Sequence, residues 1–199
     1  MDKDTRKTAL LDVIKRRRST RVFLKDPVLE ETVKEIVEAG RYAPSGGNGQ
    51  TTHFYVFTSA EKMAELRDAV TAALVNMPIE EGTHPVFVNL IQRAKKGEAD
   101  VTYGAAALIV TAGPKGSPIT TPDTTCALQN MMLAATANEV GNVWVNQFID
   151  LQYEPPVKAF FEALGKTEDE ELCGALALGY TNKLETEPLP RTGFPVTYV

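Results

Sequence analysis

The sequence predicts an α+β domain, on three observations. Runs rich in aromatic and β-branched or aliphatic residues, "HFYVFTS" at 53 to 59, "ALIVTAG" at 107 to 113 and "ELCGALALGY" at 171 to 180, read as strands. Segments with apolar residues at helical spacing lie between and before them. Gly- and Pro-rich breaks separate the two kinds, and 199 residues that are 43% hydrophobic supply one sizeable core. One domain, 1–199, is therefore expected.

Taken in order, Leu10, Val13, Ile14 and Arg17 predict a short amphipathic helix from about Thr8 that delivers a basic cluster at its end. Val33, Ile36, Val37 and Gly40 predict a helix from about Leu29 to Tyr42, with Glu30, Glu31 and Glu35 on its other face. After the first strand, Ser59 is a fitting N-cap for a helix through roughly Leu74 that buries Met63, Leu66, Val70 and Ala73. Phe87, Leu90, Ile91 and Ala94 suggest a short helix between the Gly and Pro signals at 78 to 85 and Gly97. The run "GPKGSPITTPD" is a loop. Thr121 before Pro122 then marks a helix start and Gly141 its stop. That helix, "CALQNMMLAATANEV", is apolar nearly all round, so it is expected to pack centrally or against a second subunit. "VWVNQF" follows at 143 to 148, and Val157, Phe160, Phe161 and Leu164 predict a helix closed by Gly165. The tail from Thr181 to Val199 ends in the β-prone "PVTYV" and should dock on something.

Charge and composition exclude several functions. A net charge of −5 disfavours a general nucleic-acid or anionic-membrane surface. The longest apolar stretch, "AAALIVTA", is too short to span a bilayer. Cys126 and Cys173 lack metal or disulfide spacing, and His53 and His84 lack partners for a metal or a triad. Free buried thiols and a charged N-terminus without a secretory core fit a cytoplasmic protein.

Two motifs carry chemistry. "KRRRSTR" at 15 to 21 gathers five cations around two hydroxyls in an acidic chain. Arg17, Arg18, Ser19 and Arg21 have the donors that phosphate oxygens accept, although a helix end can also carry a solvated run of cations. "PSGGNGQ" at 44 to 50 combines glycines, which let backbone approach a ligand, with the amides of Asn48 and Gln50, which match a uracil-like edge. It also reads as an ordinary helix-to-strand loop. Its spacing is neither a Walker nor a dinucleotide fingerprint.

"RRRSTRVFLKDPV" followed after a helix by "YAPSGGNGQ" resembles the nitroreductase superfamily of FMN-dependent oxidoreductases. The resemblance continues through the apolar helix, "GNVWVNQF", "ALALGY" and the terminal "LPR". It implies a central, mostly antiparallel sheet flanked by helices, with 181–199 embracing a dimer partner and its terminal strand exchanged. It further implies that Arg17, Arg18, Ser19 and Arg21 hold the FMN phosphate and ribityl chain, with Arg191 adding charge. Pro44, Ser45, Asn48 and Gln50 would line the flavin from the partner subunit. Trp144 to Gln147 would pass the other side of the ring, with a backbone N–H of Asn146 or Gln147 facing N5; Trp144 also reads as a core aromatic. The sequence departs from the pattern after Gln50, where "TTHF" replaces a Pro and an aromatic, and no insertion large enough for an extended helical lid is present.

The activity implied is reduction of nitro-aromatic, quinone or related acceptors by NADH or NADPH in a ping-pong cycle, with no side-chain acid or base and no metal. The alternatives are another flavin reaction on the same fold (reductive dehalogenation or flavin destruction), a flavin-binding or flavin-delivering protein of little turnover, and a cofactor-free interaction domain whose basic cluster meets an acidic partner.

Overall fold

The computed structural model describes residues 2–184 and 187–199; Glu185 and Thr186 of the expected tail lie outside the described residues. Four strands form one sheet in the order β1 (His53–Phe57), β2 (Ala107–Pro114), β4 (Glu170–Gly179), β3 (Gly141–Val145), and every ladder is antiparallel. Helices cover both faces. On one side, α3 (Ala60–Asn76), α4 (Pro85–Ala94), α6 (Phe148–Leu151) and α7 (Pro155–Ala163) pack around Leu66, Leu108, Val110, Phe148 and Phe161. On the other, α2 (Glu30–Arg41) and α5 (Thr120–Ala137) enclose Ile36, Ile109, Leu128, Met131 and Leu176. With both faces buried, the two central strands read as continuous apolar runs instead of alternating ones.

A bulge corrects the side-chain alternation along β4. Thr111 pairs with Gly174 and Ala112 with Leu172, so Cys173 is the extra residue. The insertion lets Leu172 and Ala175, three positions apart, face the same core.

Most predicted helices form where their periodicity places them. Ser59 caps α3 by accepting from the Lys62 N–H, and Pro85 opens α4 after His84, whose Nδ1 accepts from the Val86 N–H. Gly165, at φ 93°, ends α7 with a bond from Lys166 N to Phe161 O. Several expectations need correction. The first helix, α1, runs Lys3–Arg16, starting well before Thr8, because the Asp2 carboxylate caps it through Thr5. It buries none of its residues, and Leu10, Leu11 and Ile14 remain exposed. Helix α5 starts at Thr120, whose hydroxyl donates to Pro114 O at 2.6 Å, so Thr121 is inside it. Its stop is Glu139 in the left-handed region at φ 55°, with Val140 N reaching Ala135 O, and Gly141 already belongs to β3. A side chain at Gly141 would crowd Gly179 O at 3.0 Å, which explains the glycine by packing. Nor is α5 covered all round: Thr125 and Gln129 form an exposed strip.

The segment after α1 is bound to the sheet edge. Ser19 bridges Asn142 in parallel fashion, Thr20 N donates to Asn142 O at 2.8 Å, and Leu24 N donates to Tyr180 O at 2.8 Å. Phe23 lies on Gly179, where an added Cβ would come within 2.8 Å of its ring. The tail residues 187–199 form no helix or strand within the chain, and Leu189, Phe194, Val196 and Tyr198 are exposed.

A polar clasp crosses β2 near the opposite end of the sheet. Glu170 accepts from the Tyr55 hydroxyl at 3.0 Å and meets His53 Nδ1 at 2.9 Å. Burial raises the Glu170 pKa, but the bonds from His53 and Tyr55 outweigh it and leave the carboxyl below its ordinary value. Burial first, and then the Glu170 partner, push the Tyr55 phenol up. The carboxylate therefore adds stability that is present above the ordinary glutamate range and is lost as pH falls through the lowered native value. The phenol adds stability present below the ordinary tyrosine range and lost at higher pH. Glu170→Gln is expected to lower unfolding stability by about 1 to 3 kcal/mol at neutral pH and to flatten the acid side of the stability profile. Urea titrations from pH 3 to pH 8 check this; an unchanged acid slope would show that the clasp carries no linkage.

Candidate functional site

The loop after α2 is held in a strained, defined shape. Gly47, Asn48 and Gln50 all lie in the left-handed region, at φ 58°, 55° and 52°, a conformation that costs roughly 1 to 3 kcal/mol for a non-glycine residue. Local bonds hold it: Gln50 N donates to Ser45 Oγ at 3.0 Å, and Asn48 N to Ser45 O at 2.9 Å. Its anchor is Asp123, a buried carboxylate in the first turn of α5 that accepts from Gly46 N at 3.0 and 3.2 Å. Pro44, Ser45, Asn48 and Gln50 line a cleft of about 540 Å³ with Phe54 and Asp123.

The basic cluster divides its labour. Arg17 is the C-cap residue of α1. Burial, followed by the Arg18 and then the Arg191 cation, holds Arg17 below the ordinary arginine value. Arg18 turns back on the backbone, donating to Lys15 O, Arg17 O and Glu187 O. It closes the helix end and fastens the tail. Ser19 is exposed on the bridge to Asn142, and the Arg21 guanidinium stands 5.8 Å from the centre of the Tyr103 ring, within cation–π range. Among the described residues, none of Arg17, Arg18, Arg21 and Arg191 is ion-paired with a carboxylate.

The remaining predicted residues lie at the end of β3. Trp144 is half-buried against the α2/α5 core, and its Nε1 donates to Asn146 Oδ1 at 3.3 Å. Asn146 and Gln147 start the turn into α6 and line a different cleft, of about 700 Å³, together with Met77, Phe87 and Asp150. Within one chain, then, the 44–50 loop and the residues at 146 and 147 do not open on the same cleft. The arginines at 17, 18 and 21 line neither.

Sequence reasoning missed Asp123, Tyr103 and the acidic residues of the second cleft. Asp123 had a usable signal: it sits four residues before Ala127 and eight before Met131, on the buried face of a helix, where an unpaired carboxylate would be costly and so implies a fixed partner. Tyr103 had none, because its approach to Arg21 depends on a left-handed turn at φ 58°.

The nitroreductase family model matches residues 14–180. A nitroreductase from Bacteroides fragilis, solved with bound FMN, superposes with a TM-score of 0.84 at 29% identity, covering 96% of this chain and 98% of that one. A second, from Desulfitobacterium hafniense and also with bound FMN, gives a TM-score of 0.79 at 25% identity, with 96% and 98% covered. A protein of Archaeoglobus fulgidus with the provisional name NADH dehydrogenase/NAD(P)H nitroreductase is 29% identical over 174 residues, 85% of this chain and 84% of its own length. The antiparallel sheet flanked by helices is the architecture of those solved nitroreductases. Since a single family model accounts for everything from Ile14 in α1 to Tyr180 just past β4, the chain belongs to the nitroreductase family.

Proposed function

We propose that the chain binds FMN and acts, as a homodimer, as an NAD(P)H-dependent reductase of nitro-aromatic, quinone or related acceptors. The observation that carries the reading is the arginine arm itself: Arg17, Arg18 and Arg21 follow one another closely in sequence with no carboxylate partner among the described residues, and Arg191 acts on Arg17 as a further cation, where like charges repel unless an anion joins them. The bound FMN of two well-superposed relatives supports the choice of anion.

The residues fit such a group in distinct ways. Arg17, Ser19 and Arg21 supply charged and neutral donors for a phosphate and the adjoining ribityl hydroxyls, and Arg191 adds a cation. Arg18 orders the arm by holding the α1 end and the tail. Pro44, Ser45, Asn48 and Gln50 offer backbone and amide groups to a flat ring edge. Because this loop opens on a cleft away from the arm and from Asn146 and Gln147, one flavin touching both sets takes the loop from the second subunit. The exposed stripe of Leu10, Leu11 and Ile14 and the apolar tail residues Phe194, Val196 and Tyr198 supply surface for that contact, with the terminal segment added as a strand to the partner's sheet. On this reading 1–199 is one nitroreductase-like unit with 181–199 as its embracing tail. Two free cysteines suit a reducing, cytoplasmic setting.

FMN held there supplies two-electron chemistry between a nicotinamide donor and the acceptor. Overall, a quinone, NAD(P)H and one proton give a hydroquinone and NAD(P)⁺; a nitro group, NAD(P)H and one proton give a nitroso group, NAD(P)⁺ and water. The chain's part would be to orient the ring, to offer it a backbone N–H of Asn146 or Gln147, and to leave room for donor and acceptor in turn.

Three outcomes are expected. The purified protein takes up about one FMN per chain, and Arg21→Ala weakens FMN by about 1.5 to 3 kcal/mol without unfolding the chain, read by quenching of free flavin fluorescence; a colourless protein that leaves FMN fluorescence untouched refutes the reading. Initial rates with NAD(P)H and a quinone give parallel double-reciprocal lines, and converging lines would require two separate pockets. Deleting 181–199 lowers both flavin content and dimer fraction, measured by absorbance and light scattering. A truncated protein that stays dimeric and fully yellow would make the tail dispensable.

A further inference from the structure

The cleft of about 700 Å³ beside Asn146 and Gln147 has a chemistry of its own. Met77, Val86 and Phe87 give it apolar wall, with Phe87 continuing into the main core. Glu80, Asp150 and Glu154 give it carboxylates from three different segments: the turn before α4, helix α6, and the start of α7. No lysine or arginine lines it, and none of the three carboxylates is ion-paired among the described residues. The one basic ring present, His84, uses Nδ1 to accept from Val86 N and close the start of α4. An aromatic guest would thus find dispersion contacts on one side and an uncompensated negative field on the other.

We infer that this cleft takes the acceptor and selects it by charge, favouring flat neutral or cationic aromatics over carboxylated or sulfonated ones. The inference rests on the reductase reading, since it uses the adjacency of the cleft to Asn146 and Gln147. The apolar wall is indifferent to a substituent's charge. The carboxylates are not: Glu80 and Asp150 are exposed and Glu154 is half-buried, so their field acts across the mouth of the cleft and weakens as salt rises.

Benzamidine, benzamide and benzoate share a ring and differ in formal charge, so their affinities isolate the field from the shape. Titration calorimetry on the flavin-loaded protein at low salt is expected to order them benzamidine, benzamide, benzoate, with about fivefold to tenfold between the first and the last. Glu80→Gln, Asp150→Asn and Glu154→Gln combined should erase most of that ratio while flavin content, read by absorbance, stays at the parent level. Turnover of cationic, neutral and carboxylated nitrobenzenes should follow the same order in kcat/KM. Equal affinities, tighter benzoate, no binding of any probe, or a ratio that survives the triple variant would each overturn the inference. A protein that takes up no FMN sinks the reductase reading instead, an outcome the flavin absorbance reports separately.

Discussion

The close passage of α2 over α5 is the constraint on which the rest of the structure depends. A Cβ at Gly40 would lie 2.8 Å from Met131 Cγ and 3.1 Å from the Phe54 ring, so the helices approach as they do only because position 40 has no side chain. Helix α5 in turn lies across β2, β3 and β4 and fills the second core with Leu128, Met131 and Ala135. The loop leaves α2 directly after this contact, and its Gly46 N–H is taken by Asp123 at the start of the same α5. A Cβ at Gly46 would sit 2.7 Å from Ile119, so the loop too is seated by close approach. Helix α5 therefore fixes the path from Gly40 to Gly46, immediately before the three left-handed residues.

The arginine arm is referenced to the sheet instead. Backbone bonds to Asn142 and Tyr180 hold it along β3 and β4, the strands that also contribute Trp144 and the Trp-facing Gly174. Arg18 spends its donors on three carbonyls, two at the end of α1 and one at Glu187, and this is where the pattern of basic residues is resolved. A run of three arginines cannot present every guanidinium to one ligand. With Arg18 serving the backbone, Arg17 and Arg21 have no carboxylate partner among the described residues, and Arg191 acts on Arg17 as a further cation.

Periodicity and turn chemistry made much of this architecture legible. The strands at 53, 107 and 171, the faces of α2 and α3, the Ser59 cap and the Gly165 stop follow from residue types acting locally. The failures occurred where a tertiary contact or a stronger local competitor won. Asp2 drew α1 toward the N-terminus, Pro114 O drew the start of α5 to Thr120, and Glu139 adopted a conformation that a glycine reading had assigned to Gly141. The apolar stripe of α1 was legible but its exposure was not, because among the described residues nothing packs closely enough on that helix to bury any of its side chains. Of the candidate site, the cation cluster and the Gly/Asn loop were visible as motifs. Of their anchors, Asp123 left a trace as a carboxylate on the buried face of α5, but its partner Gly46 did not, and Tyr103 left none, since each acts through residues distant in sequence.

The proposed site carries cations at one end, where Arg18 and Arg191 act on Arg17, and carboxylates at the other, where Glu80, Asp150 and Glu154 stand beside apolar wall near Asn146 and Gln147. On that reading the cations hold the cofactor's phosphate, and the carboxylates set the field of the open cleft. The same field acts on whatever enters next. A nicotinamide donor carries its phosphates away from its reacting ring, so it can present that ring to the cleft while its charged portion remains outside. A small carboxylated aromatic has no such separation, because its charge is within one ring's width of the reacting group. On this reading the discrimination would arise from where a substrate keeps its charge relative to the atom that reacts, and not from its net charge alone.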